Sequence, residues 1–158
     1  MPSRAEIESA FRSHERSLWG LAYRLTGIAA DADEVVQETF VRAIERAPRR
    51  VDDQWHRWLM RVATNLSLDS LRSRRRRSVS PSWLPSPLED LDRAVSEGDA
   101  TDGRYERMES LTYAFLLALE ALRPRERAAL LLRDVFDHSA AEVADVLDTT
   151  EANVRVLH

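Results

Sequence analysis

The chain has no cysteine, so neither a disulfide framework nor a thiolate metal site is available, and a reducing compartment fits. Glycine is scarce, at 4 residues of 158, while alanine, leucine, arginine and glutamate are abundant; this composition predicts an all-α protein. No apolar run approaches the roughly 20 residues that span a bilayer, and the start PSRAEIESAF lacks the shape of a signal peptide. A cytoplasmic protein without membrane insertion is therefore expected. Net positive charge is also missing. The formal value of −4 argues against a uniformly basic nucleic-acid coat. His14, His56, His138 and His158 are scattered without HExxH spacing, and there is no phosphate-cradling glycine loop or nucleophile–base pair. Neither an enzyme nor a bound metal or cofactor is expected. Paired carboxylates are plentiful, but they fall in helix first turns and in a linker, where a structural or solubility role is the default.

What is present is segregated charge on helical patterns. Residues 55–77, WHRWLMRVATNLSLDSLRSRRRR, read as one long helix. Trp58, Val62 and Leu66 recur every four residues, with Leu59 and Ala63 widening the apolar stripe. Arg57, Arg61, Asn65 and Arg72 follow a neighbouring face, and the helix runs out into Arg74, Arg75, Arg76 and Arg77. Two readings stand. The basic face is a surface for nucleic acid, or it is a solvated helix end whose cations suit the C-terminal dipole.

Two helices precede it. Ile7, Phe11, Leu18, Leu21, Ala22 and Leu25 predict a helix over 4–25, stopped by Thr26-Gly27. The next opens at Asp31 with Asp33 and Glu34 in its first turn, buries Val36, Phe40 and Ile44, and stops before Pro48. Glu34, Gln37, Glu38 and Arg42 face elsewhere. Past residue 77 the pattern breaks. Pro81, Pro85 and Pro87 lie among serines, followed by Glu89, Asp90, Asp92, Glu97, Asp99 and Asp102, which predicts an acidic linker with little regular structure. Trp83, Leu84, Leu88 and Leu91 would dock on a folded part or on a partner.

Beyond the linker, Met108, Leu111, Phe115, Leu119 and Leu122 form a helical stripe, and Pro124 stands at the first turn of a helix burying Ala128, Leu131, Leu132 and Val135. Ser139 and Glu142 make a capping box for a short helix with Val143, Val146 and Leu147 inside. A turn at 148–150 follows, with Thr150 as N-cap of another helix. This is helix-turn-helix geometry, although an ordinary αα-hairpin fits too and the turn has no glycine. Val154 and Leu157 would pack inward, leaving Glu151, Arg155 and His158 outward, where arginine could pair with guanine in a major groove.

Taken together, DADEVVQETFVRAIE, WLMRVATNLSLDSLRSRRRR and LRPRERAALLLRDVFDHSAAEVADVLDTTEANVRVLH resemble an extracytoplasmic-function sigma factor, a compact bacterial transcription initiation factor. The resemblance covers residues 11–158. It implies an N-terminal bundle of three to four helices over 1–77, a flexible linker over 78–104 and a helix-turn-helix domain over 105–158. The chain ends inside the expected recognition helix, so that domain is expected to be truncated there, frayed and weak on DNA.

By the same resemblance, Glu34, Gln37 and Glu38 would bind the β′ clamp helices of bacterial core RNA polymerase, with the β subunit also in contact. Asn65, with Arg57, Arg61, Arg72, Arg74, Arg75 and Arg76, would open the −10 element and hold a flipped base. The loop at 49–54 corresponds to the family's specificity loop. Thr150, Glu151, Arg155 and His158 would meet the −35 element. Arg123 departs from the family's capping serine or threonine, at a cost of about 1 kcal/mol. Free members commonly mask their DNA-binding surfaces, and an anti-sigma factor is a further implied partner. Two modest cores that move relative to each other are expected. The rival reading is a stand-alone helix-turn-helix regulator that binds duplex DNA without polymerase; a helical interaction module is a second rival.

Overall fold

A computed structural model describes residues 3–46, 48, 53–77 and 118–158, and every regular element among them is helical. Helices α1 (Arg4–Thr26), α2 (Ala29–Arg46) and α3 (Asp53–Arg77) pack as one bundle. The second group is α4 (Pro124–Leu130), a π turn over Leu131–Val135, α5 (Ala140–Val146) and α6 (Glu151–Leu157). The linker, the loop at 49–52 and the stripe from Met108 to Phe115 lie outside the described residues. No described helix is long and apolar enough to cross a membrane.

Local chemistry fixes the helix ends. Ser3 Oγ accepts from the Glu6 amide at 3.3 Å, and Glu6 Oε2 accepts from the Ser3 amide at 2.6 Å. The backbone bond from Ser3, then that from its hydroxyl, lowers the Glu6 pKa. At the other end Gly27 takes φ 73° and donates to Tyr23 O at 2.7 Å. Only a residue without Cβ enters that region freely, so α1 stops where the sequence predicts.

The buried stripes are rotated from the expected ones. In α2 the structure buries Ala32, Val35, Val36, Thr39 and Ala43, while Phe40 is half-buried against Phe11 and Ile44 is 40% exposed. Small residues let α2 approach its neighbours, and a search for large apolar side chains passes over them. Thr39 is tolerated inside because its hydroxyl donates to Val35 O at 2.7 Å. In α3 the inward residues are Trp55, Leu59, Met60, Ala63, Thr64, Ser67 and Leu68. Trp58, Val62 and Leu66 are only half-buried, at the edge of that face.

The C-terminal group differs in two places. Phe136 N donates to Leu131 O and His138 N to Leu132 O, wider closures than an α-helix makes. The extra residue turns Val135 outward, to 40% exposure instead of the expected burial. The glycine-free turn between α5 and α6 is solved by Asp148, which adopts φ 51°, a region that aspartate enters more readily than most residues. The capping box at Ser139 and Glu142 and the Thr150 N-cap form as expected. At α4, Arg123 has no side-chain oxygen to offer. Glu126 supplies the reciprocal half alone, accepting from the Arg123 amide at 2.9 Å.

The expectation of two separate cores is corrected. Buried side chains from both groups form one apolar cluster, and Arg127 ties them together. This residue is 4% exposed. It donates to Leu119 O at 2.9 Å, Leu122 O at 3.2 Å and, on α1, Leu25 O at 2.8 Å. Leu25 lies in the last turn of α1, where carbonyls lack intrahelical partners. Burial lowers the Arg127 pKa to about 10, so it stays charged at neutral pH. Arg127→Met should cost about 3 kcal/mol, the upper scale for losing hydrogen bonds from a charged group to buried acceptors. Urea unfolding followed by circular dichroism measures it; a loss under about 0.5 kcal/mol, typical of a surface change, would remove Arg127 as the tie.

Candidate nucleic-acid interface

Because α3 buries one face, Arg57, Arg61 and Asn65, spaced four residues apart, share the opposite side of the helix. Asn65 is exposed. The two arginines are not in open solvent. Arg57 Nη2 lies 2.8 Å from Glu142 Oε1, and Arg61 Nη1 lies 3.4 Å from Asp145 Oδ1. Both carboxylates come from α5 of the helix-turn-helix group.

Glu142 uses both oxygens: Oε2 accepts from the Ser139 amide at 2.7 Å while Oε1 meets Arg57. The bonds from Ser139, then the charges of Arg57 and His138, lower its pKa. Reading the sequence assigned Glu142 a capping role alone and gave Asp145 none. The available signal was their spacing of three on one face of α5, complementary to the spacing of four between Arg57 and Arg61.

The remaining arginines of α3 separate into two kinds. Arg74 is half-buried, ion-paired to Asp31 and donates to Thr26 O at 3.0 Å. Ser70 Oγ donates to the same Asp31 carboxylate at 3.3 Å. Burial lowers the Arg74 pKa. It thus fastens the end of α3 to the α1–α2 turn. Arg75 and Arg76 are exposed, Arg72 pairs with Asp69 at 3.1 Å, and Arg77 donates to Ser73 Oγ at 2.7 Å.

On α2, Glu34 and Gln37 are exposed, and Glu38 pairs with Arg42 at 3.1 Å. All three line a cleft of about 820 Å³ between α2 and α3, and Gln37 also borders a second cleft of about 550 Å³ against α1. Gln37 thus stands between the two depressions, with Glu34 and Glu38 on the side of the first. On α6, Thr150 Oγ1 accepts from the Asn153 amide at 3.2 Å, which commits it to capping. Arg155 lies 3.7 Å from Glu151 on the exposed side, and His158 Nε2 lies 2.8 Å from Asp134. Among the described residues no group of three or more histidine, aspartate or glutamate side chains is placed to hold a metal ion.

This chain matches known proteins along most of its length. Sigma-70 region 2 matches residues 10–77, and Sigma-70, region 4 matches residues 112–158. The ECF RNA polymerase sigma factor SigL of Mycobacterium tuberculosis is 41% identical over 154 residues, covering 96% of this chain and 81% of that protein. The chain belongs to the ECF RNA polymerase sigma factors. SigJ of the same organism is 40% identical over 153 residues, covering 94% of this chain and 46% of SigJ. The crystal structure of extracytoplasmic function sigma factor SigJ superimposes with a TM-score of 0.66 at 35% identity, covering 94% of this chain and 49% of that one. The chain thus spans about half the length of SigJ. In this sigma factor, then, the arginine face of region 2 is held by carboxylates of region 4.

Separate roles for the arginines give separate expectations. Arg74→Ala should lower stability by about 1–2 kcal/mol, since it removes charged hydrogen bonds. Arg75→Ala and Arg76→Ala should stay within about 0.5 kcal/mol. Thermal unfolding of the three variants tests this, and equal losses would erase the distinction.

Proposed function

We propose that the chain recruits core RNA polymerase to promoters and opens them, its first 77 residues serving the −10 element and residues 105–158 the −35 element, with 78–104 as linker. The observation that carries this reading is the placement of Arg57, Arg61 and Asn65 on one side of α3, with two of them neutralised by carboxylates that stand where phosphates would. A guanidinium accepts either anion in the same geometry. Asn65 offers a donor and an acceptor to a base edge that a duplex hides. Arg72, Arg75 and Arg76 would hold phosphates, and Arg74 would position the helix end. Phosphoryl transfer belongs to the polymerase, and the site of action is the cytoplasm.

Glu34, Gln37 and Glu38 are assigned to the polymerase clamp, because they line an accessible face of α2 while Arg57 and Arg61 are engaged by carboxylates. A β-subunit contact and an anti-sigma factor belong to the same reading. Thr150, Glu151, Arg155 and His158 are assigned to the −35 duplex, with Thr150 setting the helix end and Arg155 reaching for DNA.

The deciding measurement is titration of labelled protein with bacterial core polymerase, beside titration with duplex DNA alone. Tight core binding is expected, weakened about tenfold or more, the equivalent of 1.4 kcal/mol, by Glu34→Ala combined with Gln37→Ala. Binding to duplex but not to core would make the chain a free-standing regulator. Asn65→Ala should leave core affinity unchanged and abolish permanganate reactivity of −10 thymines. Arg155→Ala should weaken −35 binding by about 1–3 kcal/mol, and an unaltered footprint would remove it from the contacts.

A further inference from the structure

Three of the four histidines, far apart in sequence, meet where the two groups of helices touch. His14 belongs to α1, His56 to α3, and His138 to the loop that leaves the π turn. His56 Nδ1 lies 3.3 Å from His14 Nδ1, with ring centroids 4.9 Å apart. The His56 and His138 rings are 5.9 Å apart. His138 Nδ1 is 2.9 Å from Phe136 O and must be the donor there, while its Nε2 is buried without a partner among the described residues. The charged groups facing His56 and His138 are Glu142 on α5 and Arg57 on α3, which are bonded to each other, and Arg133 of the π turn, which donates to His138 O at 3.3 Å.

This geometry limits how many protons the cluster can hold. Two facing Nδ1 atoms need one donor and one acceptor. A neutral or singly protonated pair of rings satisfies that, but a second proton sets N–H against N–H. On His138 an added proton would fall on Nε2, where the described residues supply no acceptor. The carboxylate that faces His56, Glu142, already serves the Ser139 amide and Arg57.

We propose that His14, His56 and His138 form a proton-sensitive latch between the two halves, holding α5 over Arg57 and Arg61 near neutral pH and releasing both arginines on acidification. The consequence for promoter binding rests on the assignment of Arg57 and Arg61 to DNA; the latch itself is a property of the free chain.

The direction follows from linkage. Burial, followed by the charges of His14 and His138, lowers the His56 pKa from 6.5, with Glu142 opposing. The closed form therefore binds fewer protons than the open one. Its stability is fully present above the ordinary histidine pKa and is lost progressively as pH falls from there through the lowered His56 value. Glu142 stays ionised over this window because its own pKa is lowered from 4.5.

The absence of cysteine makes the test direct. Ser9→Cys on α1 and Ala152→Cys on α6, both exposed positions, carry a donor and an acceptor dye on the full chain. Energy transfer should report a closed population at about pH 7.5 that falls at least about tenfold relative to the open one by about pH 5.5, over the histidine range, with helical circular dichroism unchanged. The change should vanish in His56→Gln combined with His138→Gln, and should shrink in His14→Gln, which keeps the buried ring should the double variant fold poorly. Constant transfer across this range overturns the latch, as does a single open population at both pH values. An undiminished response in His14→Gln and in any folded double variant overturns it too. Core titration at about pH 7.5 is read separately, so loss of the latch leaves the polymerase reading standing, and loss of core binding leaves the latch measurement intact.

Discussion

A guanidinium keeps its charge at neutral pH even when buried, so wherever an arginine is placed, acceptors must surround it. That constraint organises this chain. Arg127 is buried and takes three backbone carbonyls, one on α1 and two in the segment before α4. Because those carbonyls belong to different halves, the same bonds that satisfy the charge also join the halves. Arg74 does a smaller version of this at the α1–α2 turn. Arg57 and Arg61 are satisfied by side chains, not by backbone, and a side-chain anion is replaceable by another anion.

Helix ends and outward faces were legible in the sequence because their causes are local. Ser3, Gly27, Ser139 and Thr150 act within four residues of themselves, so pattern reading finds them. The buried stripes of α2 and α3 were legible in period and only partly in phase: Val36, Leu59 and Ala63 are buried as expected, while Ile44 is exposed and Phe40, Trp58, Val62 and Leu66 are half-buried. Phase depends on which neighbour a helix meets, and Ala32, Thr39 and Ala43 bury because α1 and α3 lie close. Val135 was misread because a π closure changes the rotation per residue, which no 3.6-residue pattern anticipates.

The site was legible where its residues share one helix. Arg57, Arg61 and Asn65 needed only helical spacing. Asp145 lies 84 residues from Arg61 in sequence, and Glu142 is as remote from Arg57, so nothing local announces such a pairing. The histidines show the same limit. Listed along the chain they look scattered, and only packing of α1, α3 and the π-turn exit brings them within ring contact.

The strengths of these contacts decide where control of the closed form resides. The side chains of Arg57 and Glu142 are 57% and 26% exposed, and those of Arg61 and Asp145 are 42% and 71% exposed. Ion pairs that open to water contribute about 0–1 kcal/mol each and are screened by salt. They choose the partner of the arginine face without holding the halves together. The holding is done by the shared apolar cluster and by Arg127. A device that acted only on the ion pairs would therefore trade one anion for another and leave the closed form standing. To part the halves, a signal has to reach the buried side of the contact, where the His138 ring lies against His56.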